Sequence, residues 1–95
     1  MNPTLAQAKR RMLPILKRHE VVRAAVFGSF AHGTARNNSD LDVLVELPRS
    51  KSLLDLAALK SDLEEAVGRR VDVVTPRALH PKLRRRILAE RVVIW

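Results

Sequence analysis

The sequence has no cysteine and no tyrosine, and only one tryptophan and two phenylalanines among its 95 residues. The absence of cysteine excludes disulfides and cysteine-based zinc or redox sites. The shortage of aromatic rings argues against a protein that binds single-stranded nucleic acid by base stacking. No stretch approaches the ~18 consecutive apolar residues of a membrane helix, and the first residues lack the apolar core of a signal peptide. These absences predict a cytoplasmic protein that does not enter a membrane.

The composition that remains is that of a small, basic, globular protein. Apolar residues make up 46% of the chain and the formal net charge is +8. The length predicts one domain over residues 1–95. The basic residues concentrate near the two ends and include Lys9, Arg10, Arg11, Lys17, Arg18, Lys82, Arg84, Arg85, Arg86 and Arg91. This balance favours an anionic partner such as a nucleotide, RNA or an acidic protein face, although a solvated helix surface is the better explanation for most of these residues.

The hydrophobic pattern alternates between helices and strands. Helices are predicted from Pro3 onward with a kink or break at Pro14, from Ser52 to a stop at Gly68, and from Pro81 to about Glu90. In the last helix, Leu83, Ile87 and Leu88 are expected to face the core. Strands are predicted over residues 21–27, buried on both faces, and over 41–47 and 70–75. Residues 92–95 form an apolar tail that is expected to dock as a short strand, with Trp95 as its anchor.

The connections between strands predict the topology of the sheet. The first two strands are joined by a loop and are expected to be antiparallel, whereas the second and third are joined through a helix and are expected to be parallel. The predicted fold is α+β, a small mixed sheet flanked by helices.

A glycine-serine turn follows the first predicted strand. Gly28 ends the strand, residues 29–32 fit one helical turn, and Gly33 fits a left-handed cap for that turn. A strand-to-helix turn presents backbone N–H groups that bind phosphate, and glycine lets the backbone approach a ligand closely. The Ser29 hydroxyl can donate to a phosphate oxygen. A glycine-serine pair alone is a common turn, so the prediction of a phosphate site depends on the acids downstream.

Three aspartates supply those acids. Asp40 and Asp42 are two residues apart at the start of the second strand, so their side chains are expected to share one face. Asp72 lies inside the valine-rich third strand, where it is expected to stand beside Asp42. Carboxylates this close repel one another unless a cation intervenes, and hard oxygen ligands suit Mg²⁺. The alternatives are a turn role for Asp40 and an ion pair between Asp72 and either Arg69 or Arg70.

These residues resemble a known family. Gly28-Ser29, ten intervening residues and then Asp40-x-Asp42 resemble the signature of the polymerase-β-like nucleotidyltransferases. Together with residues 71–74 and the 89–95 tail, the pattern is similar to the smallest branch, the minimal nucleotidyltransferase (MntA-like) antitoxins. His32 stands where that branch often has arginine.

The resemblance implies a polymerase-β-like nucleotidyltransferase fold and a set of residue roles. Gly28, Ser29 and Gly33 would bind the nucleotide triphosphate, with ATP as substrate. Asp40, Asp42 and Asp72 would be catalytic and would hold two Mg²⁺ ions, with Asp72 assisting the attacking hydroxyl.

The resemblance also implies a partner. The protein would be the antitoxin of a type VII-like toxin–antitoxin system, and it would silence a HEPN-domain toxin by transferring AMP to a tyrosine of that toxin. Whether the protein forms a homo-oligomer or a hetero-oligomer is left open by the resemblance. Two other functions also remain open at this stage: an antitoxin that neutralises its partner by binding alone, and an RNA-directed nucleotidyltransferase.

Overall fold

The computed structural model describes residues 2–95, which form an α+β fold of four helices and a four-stranded mixed sheet. The helices are α1 (Leu5–Arg18), α2 (Ser29–His32), α3 (Leu53–Val67) and α4 (Pro81–Glu90). The strands are β1 (Arg23–Phe27), β2 (Leu41–Glu46), β3 (Val71–Val74) and β4 (Val92–Val93), and a short 3₁₀ helix covers Pro76–Ala78. Within residues 2–95, no helix is long and apolar enough to cross a membrane.

The sheet has the strand order β3-β2-β1-β4. β1 pairs with β2 in antiparallel orientation, and β2 pairs with β3 in parallel orientation, as the connections predict. The chain returns after α4 so that β4 pairs antiparallel with β1. The predicted short strand in the apolar tail is therefore confirmed.

The two faces of the sheet differ in what covers them. Helices α1 and α3 pack on one face, and their buried side chains join those of the strands in the main core, which includes Met12, Leu16, Leu59, Leu63, Val26, Val43, Val45 and Val71. Because strand side chains alternate, Asp42 and Leu44 lie on the opposite face from Val43 and Val45. That second face carries the acids, and Leu83 and Ile87 of α4 line the same cleft as Asp42 and Asp72.

Local sequence signals account for the boundaries of α3. The Ser52 side chain accepts a hydrogen bond from the backbone N–H of Asp55, and the Asp55 carboxylate accepts one from Ser52 N at 2.7 Å. This reciprocal pair satisfies two free N–H groups at the helix start. Gly68 ends the helix in the left-handed conformation with φ 69°. The predicted start and stop of this helix are both confirmed.

Of the kink or break predicted at Pro14, the break is wrong, because α1 is one element that runs through Pro14 from Leu5 to Arg18. Proline removes one backbone hydrogen bond from the helix. Here Ala8 and Met12 before the proline and Leu16 after it are all buried in the core. Burial on both sides of Pro14 therefore holds the helix together.

The predicted core face of α4 is also partly wrong. Ile87 is buried, but Leu83 is 47% exposed and Leu88 is 40% exposed. Only one of the three predicted side chains is therefore enclosed. The tail beyond α4 is fixed by Trp95, whose indole N–H donates to the carbonyl of Val21 at 2.7 Å. The predicted anchor role of Trp95 is confirmed.

Candidate active site

The turn after β1 has the conformation that its glycines predict. Gly28 adopts φ 73° and ψ −150°, the one-turn helix α2 follows, and Gly33 closes it in the left-handed conformation with φ 75°. The backbone N–H of His32 donates to the Gly28 carbonyl at 3.1 Å, and that of Thr34 donates to the Ser29 carbonyl at 2.9 Å. The turn is therefore a folded structure rather than a loose loop.

Gly28 lies against the carboxylate of Asp42. A Cβ atom at position 28 would overlap Asp42 Oδ2 and lie 3.3 Å from Asp42 Cγ. Only a residue without a side chain allows this approach. The backbone that would receive a phosphate and the half-buried Asp42 carboxylate are therefore in direct contact.

Asp42 and Asp72 are opposite one another in the parallel pairing of β2 with β3. This pairing confirms the predicted juxtaposition of the two strands. Burial raises the pKa of the Asp42 carboxyl above its usual range, and the charges of Asp72 and Asp40 and a hydrogen bond with Asp72 raise it further. The two strand acids thus repel each other in the free protein, and a bound cation would relieve that repulsion.

Asp40 takes a different position from the two strand acids. It precedes β2, is exposed and does not line the cleft that contains Asp42 and Asp72. Its charge still reaches Asp42, since it contributes to the raised pKa of that carboxyl. Over residues 2–95, no cluster of three or more histidine, aspartate or glutamate side chains is preassembled around a cation position.

The residues nevertheless fit a divalent cation. Asp42 and Asp72 are hard oxygen donors on one face, and both line a cleft that also contains the Ser29 hydroxyl group. Mg²⁺ is usually bound by one or two protein carboxylates, with water and substrate phosphates completing its shell. A pair of carboxylates beside the turn that begins at Gly28 matches that requirement without a closed protein cage.

The cleft has a volume of about 660 Å³ and brings together residues that lie far apart in the sequence. Besides the turn and the strand acids, its walls include Lys60 from α3 and Arg86 and Glu90 from α4. His32 also lines the cleft, at the end of the turn that begins at Gly28.

Sequence patterns do not mark Lys60, Arg86 or Glu90 as site residues. The only signal for two of them is the spacing of four between Arg86 and Glu90, which is common on exposed helices.

Arg69 does not pair with Asp72, so that alternative is wrong for this residue. Its Nη1 donates to the carbonyls of Arg36 at 3.3 Å, Asn37 at 3.3 Å and Ser39 at 2.9 Å, and its guanidinium lies 5.1 Å from the centre of the Phe30 ring. Arg69 thereby ties the loop before β2 to the turn after β1.

The ion pairs found among residues 2–95 do not include Arg70 either. Asp72 is therefore left without a structural counter-charge in the part of the chain that the structure describes. A larger groove of about 810 Å³ lies at the other end of β2, and Glu46 is its one acidic wall residue. The paired acids are in the smaller cleft, so we assign the candidate active site there.

The profile of the nucleotidyltransferase domain family matches residues 9–94. The chain belongs to that family. Among its relatives, a Methanocaldococcus jannaschii protein described as a candidate protein adenylyltransferase is 50% identical over 86 residues, which cover 90% of this chain and 92% of the relative. The protein adenylyltransferase MntA of Thermococcus cleftensis is 36% identical over 78 residues, covering 82% of this chain and 79% of the relative. This nucleotidyltransferase is thus an enzyme of the protein adenylyltransferase type.

Solved structures agree with this nucleotidyltransferase fold. A structure described as a candidate minimal nucleotidyltransferase superposes with a TM-score of 0.81 at 45% identity, covering 93% of this chain and 90% of that one. A toxin–antitoxin structure with AMP-PNP superposes with a TM-score of 0.79 at 22% identity, covering 92% of this chain and 72% of that one. The fold predicted from the sequence pattern and the resemblance is confirmed.

Proposed function

We propose that this protein transfers AMP from ATP to a tyrosine hydroxyl of a HEPN-domain toxin and thereby acts as its antitoxin. The observation that carries the proposal is the position of Asp42 and Asp72, opposite one another on adjacent strands and beside the Gly28 turn. Two carboxylates that repel each other next to a phosphate-binding turn suit a metal-dependent reaction on a nucleotide. The toxin–antitoxin structure with AMP-PNP supports the choice of system through its similar fold.

The turn would bind the triphosphate. Gly28 and Ser29 line the cleft, and the positive φ values of Gly28 and Gly33 shape the turn at its two ends. Backbone N–H groups and a serine hydroxyl can donate to phosphate oxygens without adding charge. In this role Gly28, Ser29 and Gly33 bind and orient ATP.

Asp42 and Asp72, joined by Asp40 when the nucleotide is bound, would hold two Mg²⁺ ions. Bound there, the ions would neutralise charge on the triphosphate and on the departing pyrophosphate. The raised pKa of Asp42 supports this assignment, since burial raises it first and the charges of Asp72 and Asp40, which a cation would offset, raise it further.

The reaction is a single displacement at the α-phosphorus. The tyrosine oxygen forms a bond to the α-phosphorus, the bond from that phosphorus to the oxygen bridging to the β-phosphate breaks, and pyrophosphate leaves. The hydroxyl proton passes to the Asp72 carboxylate. Most of the rate enhancement in such a reaction comes from positioning and charge stabilisation. A cytoplasmic location, where ATP and a HEPN-domain toxin would both be present, is part of this proposal.

Label transfer tests the proposal directly. The protein is incubated with its HEPN partner, Mg²⁺ and ATP labelled at either the α- or the γ-phosphate. Label from the α-position is expected on the partner, and label from the γ-position is not. Asp42→Asn and Asp72→Asn should abolish transfer, while Glu46→Gln, on the same face of β2 but at its far end, should retain it.

The same assay separates the two alternative functions. An absence of transfer by the wild-type protein, combined with protection of cells by the Asp72→Asn variant, would favour neutralisation by binding alone. Label on added RNA instead of the HEPN partner would favour an RNA-directed enzyme. Either result would overturn the proposed transfer to a protein.

A further inference from the structure

One carboxylate contacts both a histidine and an arginine in the candidate active-site cleft. Glu90 Oε2 lies 3.3 Å from His32 Nε2, and Glu90 Oε1 lies 3.7 Å from Arg86 Nε. All three side chains line the cleft that contains Ser29, Asp42 and Asp72. Glu90 and Arg86 come from the last two turns of α4, whereas His32 is the last residue of α2.

The Arg86–Glu90 contact alone would be an ordinary surface pair. The two residues are four apart on one helix, and the Arg86 side chain is 75% exposed. Exposed pairs of this kind contribute little to stability. The contact with His32 is different, because it joins α4 to the turn that begins at Gly28.

This arrangement places a negative charge where the proposed substrate brings several. A triphosphate that lies on the Gly28–Gly33 turn approaches His32, whose Nε2 the Glu90 carboxylate already contacts. Like charges in one site disfavour each other, whereas an arginine and other hydrogen-bond donors favour phosphate. The nucleotide and the Glu90 carboxylate therefore compete for the same nitrogen atoms of His32 and Arg86.

We propose that Glu90 is a built-in competitor of the triphosphate, and that His32 and Arg86 become phosphate ligands when the nucleotide displaces it. This inference rests on the proposed binding of ATP in the cleft. It assigns His32 and Arg86 to substrate binding, and it gives Glu90 a selective role. A ligand with more phosphate groups gains more from the Arg86 guanidinium and the His32 ring nitrogen and displaces Glu90 more readily, so the contact discriminates ATP from AMP.

Nucleotide binding to the intact protein tests the inference without any transfer reaction. The probes are an ATP analogue with a methylene group between the α- and β-phosphates, which cannot donate AMP, and AMP itself. Dissociation constants are measured by calorimetry with Mg²⁺ for the wild type, Glu90→Gln, Arg86→Gln and His32→Gln. The matched control is Glu65→Gln, an exposed carboxylate on α3 outside the cleft.

Glu90→Gln is expected to bind the analogue about two- to fivefold more tightly than the wild type, the range expected for one exposed charge interaction. Arg86→Gln and His32→Gln should each weaken binding of the analogue by a similar factor, and AMP should respond less to all three substitutions. Glu65→Gln should leave both ligands unchanged.

Equal affinities for the wild type and Glu90→Gln would overturn the inference, as would an equal effect on AMP and the analogue. An absence of analogue binding by every variant would also overturn the inference, because His32 and Arg86 would then bind no triphosphate even without the Glu90 carboxylate. The proposed function fails differently: the affinities would shift as described, but no AMP would reach the HEPN partner.

Discussion

Replacing Gly28 with alanine is expected to abolish AMP transfer and to destabilise the fold. The φ of 73° and ψ of −150° at this position belong to a region that is almost restricted to glycine, and a non-glycine residue there costs about 1–3 kcal/mol. The new Cβ would also overlap Asp42 Oδ2, so that carboxylate must move. In a domain of this size, 1 kcal/mol corresponds to a Tm change of about 4–8 °C. We therefore expect the Tm to fall by at least about 4 °C.

Gly68→Ala is the matched control for this substitution. Gly68 also has a positive φ, 69°, but a Cβ there would meet nothing within 4 Å and the position is outside the cleft. The left-handed conformation costs alanine about 1–2 kcal/mol, so the control should lose stability but keep AMP transfer. Thermal unfolding by circular dichroism gives the Tm values, and label transfer is measured well below both. If the two variants lose the same Tm and both retain transfer, the assigned contact between Gly28 and Asp42 does not matter for catalysis.

The remaining predictions concern stability. Burial and the neighbouring acids raise the pKa of Asp42, so its ionised form destabilises the metal-free fold above that raised pKa. Asp42→Asn should therefore increase the Tm at neutral pH. The same substitution should leave the Tm unchanged in acid, below the usual range of carboxyl pKa values. The hydrogen bond from His19 lowers the pKa of Asp62, so this carboxylate stabilises the fold above the ordinary aspartate pKa and the benefit is lost as pH falls through the lowered value. Asp62→Asn should therefore reduce the Tm at neutral pH, and the two unfolding curves should converge in acid; a gap that persists there would contradict the assignment. Trp95→Phe removes the hydrogen bond to Val21 O and should cost about 0.5–1.5 kcal/mol in urea unfolding, whereas an unchanged free energy of unfolding would show that the anchor is dispensable.

The sequence predicts the acid pair because strand geometry is local. Alternation of side chains fixes which face Asp42 occupies, and a helical connection favours a parallel neighbour for β2. Those two rules are enough to bring Asp72 beside Asp42, as the pairing of β2 with β3 confirms. The turn after β1 is equally local, since Gly28 and Gly33 both adopt the positive φ that their positions require.

The features that escape sequence analysis depend on contacts between distant segments. Pro14 is accommodated because the residues around it are buried against α3 and the sheet. Helix propensity describes one segment alone and does not include this tertiary burial. Leu83 and Leu88 have the helical spacing of core positions but are exposed, because burial depends on how α4 packs in the assembled fold. Glu90 reaches His32 only after α4 has packed over the second face of the sheet, so no spacing in the sequence could indicate their contact.

The most direct test of the central claim is a cation titration, because the account rests on Asp42 and Asp72 forming the metal site. Mn²⁺ binding is followed by electron paramagnetic resonance with the methylene-bridged ATP analogue present. The account predicts binding to the wild type and to Glu46→Gln, and loss of binding in Asp42→Asn and in Asp72→Asn, with circular dichroism confirming that each variant is folded. Equal Mn²⁺ binding by all four folded proteins would contradict it.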